Sequence, residues 1–207
     1  MAKNRFSRPR KPKQIGAKVI IVCEGVTEEI YFEAIRKSKR LQTIQITVVN
    51  PAFTDPENIV KTAVEIRKDL RKEKRWAEED QIWAVYDGDE HKDKDLRNWQ
   101  SALDLAARED VNLGISNPSF ELWYLLHYKD QNAEINRHET YKKLRKEVSV
   151  YHKTEDLYIS HFQPRTDAAS ARAIMIADRI ERDFLDKFSN PSTEIYLLVK
   201  RLLELSQ

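Results

Sequence analysis

The sequence predicts an α/β fold: a mostly parallel four-stranded sheet flanked by helices, followed by a helical C-terminal portion. Three observations lead there. Short β-branched apolar runs alternate with helix-period segments through residues 18–116, the order produced when parallel strands are joined by crossover helices. Beyond Asn117 every patterned segment has helical spacing. The chain of 207 residues is 41% hydrophobic, enough for a core. No apolar run nears the roughly 20 residues that cross a bilayer.

Residues 1–17 form a basic arm: residues 1–18 hold seven Lys/Arg and no acid. Pro9 and Pro12 interrupt any amphipathic helix there, and no apolar signal-peptide region is present. Such an arm suits nucleic-acid phosphates, through Arg8, Arg10, Lys11 and Lys13, or serves as a solubilising tail. "KVIIVC" (18–23) reads as a buried strand and "TEEIYFEAIRKS" (27–38) as a helix capped by Thr27. "IQITVVN" (44–50) is a second strand, and Asp55 and Pro56 open a helix over 55–76. "QIWAVYDGD" (81–89) is the third strand, 96–109 a helix, and "VNLGIS" (111–116) the fourth strand. Helical patterns cover 117–128, 137–148, 167–188 and 193–205. The α/β core is therefore read as 18–128, with 129–207 as a helical portion packed on or beside it.

The single cysteine, Cys23, excludes an internal disulfide and a thiol-rich metal cluster, and a cytoplasmic protein is expected. Net charge is only +2, so the molecule is no polycation. Besides the arm, positive charge gathers at 141–153, where Lys142, Lys143, Arg145 and Lys146 lie among Tyr141, Tyr151 and Lys153. Cations among aromatics suit a nucleic-acid groove, and a solvated helix face accounts for them nearly as well.

Two predicted strands end on acids. The first runs straight into Glu24 and Gly25, the third into Asp87, Gly88, Asp89 and Glu90. In an open parallel sheet, sites form outside the carboxyl ends of the strands, so residues 63 positions apart would meet there. Hard oxygen donors of this kind suit Mg²⁺ or Mn²⁺, and such an ion polarises phosphates and stabilises leaving oxygens. Neither acid alone marks a site, since a strand often ends on a polar residue and Asp-Gly is a common turn.

"NPSFE" (117–121) and "NPSTE" (190–194) both read as helix starts, with Asn as N-cap and Pro at the first helical position. The first copy follows the fourth strand, which makes Glu121 a further acid for the same edge. Phe120, Leu122, Trp123, Leu125 and Leu126 read as core. The five histidines have no metal-ligand spacing; His127 follows Glu121 by less than two turns, which could set it near the acids, but it reads better as a surface or half-buried residue. No phosphate-loop motif occurs, so nucleotide hydrolysis would fall to a partner.

"VCEGVTEEIYF" followed by "VYDGDE" resembles the Toprim pattern of topoisomerases, primases and related nucleases. "ISNPSFELWYLLHY" and "NPSTEIYLLVKRL" narrow the resemblance to the RloB-like family of small Toprim proteins, over residues 18–205. The resemblance implies a compact Toprim α/β core, one or two Mg²⁺ (or Mn²⁺) ions, and phosphodiester cleavage. It further implies an abortive-infection role in prokaryotic defence against phage, beside an ABC-type ATPase that restrains the effector. Carried over, Glu24 is a metal ligand or general acid/base, and Gly25 permits the turn after it. Asp87 and Asp89 are the metal-binding pair, and Glu28 is a second acid for a second metal. Glu28 also suits the first turn of a helix on electrostatic grounds alone. A metal-dependent nuclease acting on DNA, tRNA or other RNA is expected. The rivals are a non-catalytic subunit or sensor, and an enzyme acting on a small phosphorylated substrate.

Overall fold

The structure, a computed structural model, describes residues 17–49, 54–88 and 95–206. Strands β1 (Val19–Cys23), β2 (Ile44–Val48), β3 (Gln81–Asp87) and β4 (Asn112–Asn117) run parallel. A two-residue strand, β5 (Ser192–Thr193), pairs antiparallel with the end of β4. The order across the sheet is β2-β1-β3-β4-β5. The described helices are α1 (Val26–Ser38), α2 (Pro56–Lys72), α3 (Leu96–Arg108), α4 (Glu121–Leu126), α5 (Arg137–Glu147), α6 (Thr166–Arg182) and α7 (Ile195–Glu204). The mixed α/β sheet and the helical C-terminal region match the expectation. The fifth strand is an addition, because two residues carry no period from which to read it.

β1 is apolar throughout because both of its faces are covered. Val19, Ile21 and Cys23 enter a core built with α1, α4, α6 and α7. Ile20 and Val22 enter a second core with α2 and α3. Burying each such Val or Ile contributes roughly 1.5–3 kcal/mol of transfer free energy. The helices from beyond residue 120 thus share the core of α1: Trp123, Ile176 and Leu198 are buried in the same cluster as Phe32 and Ile35.

Asp55 caps α2 by accepting the Asn58 N–H at 3.1 Å, with Pro56 at the first helical position. Its carboxylate also takes the Asn98 amide at 2.7 Å, which fastens the start of α2 to α3. Other starts differ from expectation. α1 is entered through Gly25, which has no capping side chain, and Thr27 is buried in the first turn with its hydroxyl 3.4 Å from the Lys153 carbonyl.

Neither Asn-Pro-Ser segment caps a helix. Asn117 is the last residue of β4, and its amide donates to the Phe188 carbonyl at 2.8 Å. Asn190 bonds the main chain of Ile135 through both side-chain ends, at 2.7 and 3.1 Å. Both Asn-Pro peptide bonds are cis. The two segments lie against each other, since Asn117 pairs with Ser192, Ser116 with Thr193, and the last two hydroxyls meet at 2.8 Å. The asparagine side chains are turned to neighbouring loops, the Asn117 Oδ1 being buried without a partner, and no side-chain bond caps α4 or α7.

Candidate functional site

β1 connects to β2 on one side, while β3 lies on the other side of β1. The chain therefore reverses its direction of travel between β1 and β3, and a crevice opens outside their carboxyl ends. Both strand-end acids stand there. Cys23 is level with Val85, and the Glu24 N–H donates to the Val85 carbonyl at 2.9 Å. The Asp87 N–H returns a bond to the Glu24 Oε2 at 2.9 Å.

Asp87 is held from two further directions. Its Oδ1 accepts the Phe120 N–H at 2.8 Å, from the turn after β4, and its Oδ2 lies 3.0 Å from the Arg137 guanidinium. Gly88 follows because β3 ends against β4: a Cβ at this position would sit 2.9 Å from the Asn117 Cβ. Gly25 reflects crowding and not an unusual turn. Its φ of −143° is ordinary extended backbone, and an added Cβ would meet the Glu28 carboxylate at 3.2 Å.

Two more acids complete the cluster. Glu28, in the first turn of α1, is 4% exposed, and Glu121, at the start of α4, is 2% exposed. Glu121 Oε2 accepts the Ser119 hydroxyl at 2.7 Å, while Oε1 takes the Tyr151 hydroxyl and the Lys153 ammonium, each at 3.3 Å. The chain thus brings together Glu24, Glu28, Asp87 and Glu121, from β1, α1, β3 and the turn after β4. Asp89, Glu90 and the arm residues Arg8, Arg10, Lys11 and Lys13 lie outside the described residues.

These carboxylates feel one another. Burial drives the Asp87 carboxyl well above the usual range, Glu28 and Glu24 push it further, and Arg137 only partly opposes them. Burial raises Glu28 to about 7, with Glu24 and Glu121 adding repulsion against its own helix amide and Lys153. Burial also acts on Glu121, but Lys153 and the Ser119 hydroxyl outweigh it and hold this carboxyl below its usual range.

Such a set of buried oxygen donors, charged at a cost, has the chemistry that Mg²⁺ or Mn²⁺ relieves. Its present arrangement is not a closed shell. Among the described residues, no three His, Cys, Asp or Glu side chains are already disposed to hold a metal ion. Arg137 and Lys153 occupy outer oxygens of Asp87 and Glu121. The donor set fits a hard cation in kind, with the cations of the chain standing where it would act.

Arg137 is the residue that sequence reasoning missed. A signal existed: Asn136 and Glu139 form a capping box, with the Glu139 N–H donating to Asn136 at 2.9 Å, so α5 starts at Arg137. A cation at a helix N-terminus opposes the macrodipole and calls for an external reason; Asp87 is that reason. Tyr151 and Lys153, grouped above with a basic patch, instead face Glu121. Of that patch, Lys142, Arg145 and Lys146 are exposed on α5, and Lys143 bonds the Gln131 side chain at 2.9 Å.

His127 is neither on the surface nor in the acid cluster. It is 2% exposed, with Nδ1 bonded to the Trp123 carbonyl at 2.8 Å and its ring against Phe162. Burial, aided by Arg165 and Arg172 and opposed by the bond that the ring N–H donates to the Trp123 carbonyl, lowers it to about 4, so it is neutral. Cys23 lies wholly inside the core, and burial raises its thiol. A cleft of about 650 Å³ opens at the opposite end of the strands, lined by Arg67, Asp80 and Asp110 among others, and shares no residue with the acids.

No described helix is long and apolar enough to cross a membrane. Neither a curated protein nor a solved structure matches the chain. One family model, RloB-like protein, matches residues 19–202, nearly the whole chain. With the acid-ended parallel strands and both Asn-Pro-Ser segments inside that span, the chain belongs to the RloB-like protein family.

Proposed function

We propose that the protein is a divalent-metal-dependent nuclease of the Toprim type. The observation that carries this reading is the convergence of four carboxylates, three of them buried, at the reversal point of a parallel sheet. Folding a chain so that acids repel one another in a dry crevice costs stability, and a catalytic cation site is the reason that fits best. Glu24, Glu28 and Asp87 would hold the ion or ions, with Glu121 and Asp89 as further donors. When bound, Mg²⁺ or Mn²⁺ supplies polarisation of the scissile phosphate and stabilisation of the leaving oxygen.

The side chains of the protein prepare that chemistry. The Phe120 N–H holds the Asp87 Oδ1, so the orientation of this carboxylate is set before substrate arrives. Glu24 is tied to the same strand end by the Asp87 N–H. Family resemblance adds the biological setting: an effector of defence against phage, in the cytoplasm, restrained by an ABC-type ATPase partner.

The test is cleavage of labelled tRNA, single-stranded RNA and duplex DNA in Mg²⁺, Mn²⁺ or EDTA, beside Asp87→Ala. Metal-dependent cutting that the variant abolishes supports the reading, and the preferred substrate names the class. One observation favours a second reading, a non-catalytic subunit or sensor: Arg137 and Lys153 already occupy two of the acids. A non-catalytic protein keeps partner binding and cell protection in Glu24→Ala, whereas a nuclease loses protection.

A further inference from the structure

The cations at the site come from a part of the chain that the acid motifs do not include. Arg137 opens α5, and Lys153 lies in the segment that follows it. Each is anchored at its base. The capping box fixes the start of α5, and the Thr27 hydroxyl bonds the Lys153 carbonyl at 3.4 Å. Their tips reach acids that are far more buried than they are. The Arg137 side chain is 31% exposed against 11% for Asp87, and Lys153 is 53% exposed against 3% for Glu121. Each cation therefore sits at the solvent side of its acid, where an incoming group would meet it first.

The charge balance is informative. Among the described residues, four carboxylates against two cations leave two negative charges when all the acids are ionised, a deficit that draws a divalent ion. An ion coordinated through Asp87 Oδ2 and Glu121 Oε1 would take the oxygens that Arg137 and Lys153 now hold and turn both side chains outward. They then become two positive charges at the mouth of the crevice. A guanidinium fork matches two phosphate oxygens as well as it matches a carboxylate, and a lysine serves as a point charge beside it.

On the metal-dependent reading above, we infer that Arg137 and Lys153 are resident counter-cations that give up the acids to a divalent ion and then bind the phosphate of the nucleic acid. Arg137 and the ion compete for Asp87, so the ion binds the free protein weakly. Nucleic acid removes the competitor by engaging it. By linkage the ion strengthens nucleic-acid binding by the same factor. The site thereby stays closed to either ligand alone and opens to both together.

The experiment measures Mn²⁺ affinity by electron paramagnetic resonance, without nucleic acid, for the wild type, Arg137→Gln, Lys153→Gln and Arg137→Lys. It is paired with binding of a short fluorescein-labelled RNA in Ca²⁺. The expected result is that Arg137→Gln binds Mn²⁺ about three- to tenfold tighter than the wild type, yet binds the RNA about tenfold more weakly. Lys153→Gln shifts both in the same directions by less, and Arg137→Lys lies between. Urea midpoints confirm that each variant is folded. Unchanged or weaker Mn²⁺ binding in Arg137→Gln overturns the inference, because Arg137 would then orient Asp87 as a ligand. Tighter Mn²⁺ binding with unaltered RNA affinity overturns the transfer to phosphate. Absence of Mn²⁺ binding in the wild type and in Arg137→Gln alike removes the metal reading itself. The affinities behaving as stated with no cleavage of any substrate supports the inference and removes only the nuclease.

Discussion

Replacing Glu28 by Gln should make the protein more stable and less functional at once. Glu28 is 4% exposed, and its carboxyl titrates near 7 in place of the ordinary 4.5, chiefly through burial. The folded state therefore holds a proton that the unfolded chain has released between pH 4.5 and 7. Stability falls as pH rises through that window, and the full penalty applies above it. The rise from 4.5 to about 7 corresponds to about 3–4 kcal/mol as an upper figure, and relaxation around Lys153 brings the expected gain to about 1–3 kcal/mol. Glutamine matches the shape and carries no charge to be repelled. The assay is urea denaturation in EDTA at pH 8.0 and pH 4.5. At pH 8.0 the variant should exceed the wild type by that margin, equivalent to about 2–4 °C in Tm per kcal/mol for a chain of this size. At pH 4.5 the two should coincide, and Mg²⁺ at pH 8.0 should narrow the gap by stabilising only the wild type. A variant that is less stable at pH 8.0, or a gap that is equal at both pH values, would refute the reasoning.

Three further outcomes follow from the geometry. His127 has a folded value near 4 against 6.5, so its neutral form contributes stability fully present above pH 6.5 and lost as pH falls toward 4. Comparing the wild type with His127→Leu in urea should show an excess wild-type loss of about 1–3 kcal/mol across that window. Asn136→Ala removes the capping box of α5 and should lower the unfolding free energy by about 1 kcal/mol, read from the urea midpoint. Gly88→Ala sets a Cβ 2.9 Å from that of Asn117 and should cost about 1–3 kcal/mol, measured by thermal unfolding.

The parallel sheet and its acid edge are legible in the sequence because strands covered on both faces need unbroken apolar runs. An acid closing such a run stands out. Glu24 and Asp87 are found in that way, and Glu28 only through the family resemblance. Helix ends are harder to read. α1, α2, α3 and α6 are each followed by a left-handed residue that is not glycine, at Arg40, Lys74, Asp110 and Phe184. Without glycine as a stop signal, the patterns predict 55–76 and 167–188 where the helices end at Lys72 and Arg182. Arg137 is missed and Lys153 misassigned to a basic patch for another reason. Their partners lie 50 and 32 positions upstream, and nothing local names a partner at that distance. The Asn-Pro-Ser segments mislead because their composition matches a helix cap, while their actual partner is each other.

That meeting of the two segments sets an order of assembly. The wall of the crevice that carries Glu121 follows directly from the end of β4, and the end of β4 pairs with Ser192 and Thr193, Asn117 and Ser192 standing 75 positions apart (192 − 117). A contact of such long range forms late, since the intervening chain must first be ordered. During synthesis the acids of β1 and β3 can come together while β4 still lacks its outer strand. A chain made only as far as α6 therefore holds a crevice whose wall at the end of β4 still lacks its outer partner.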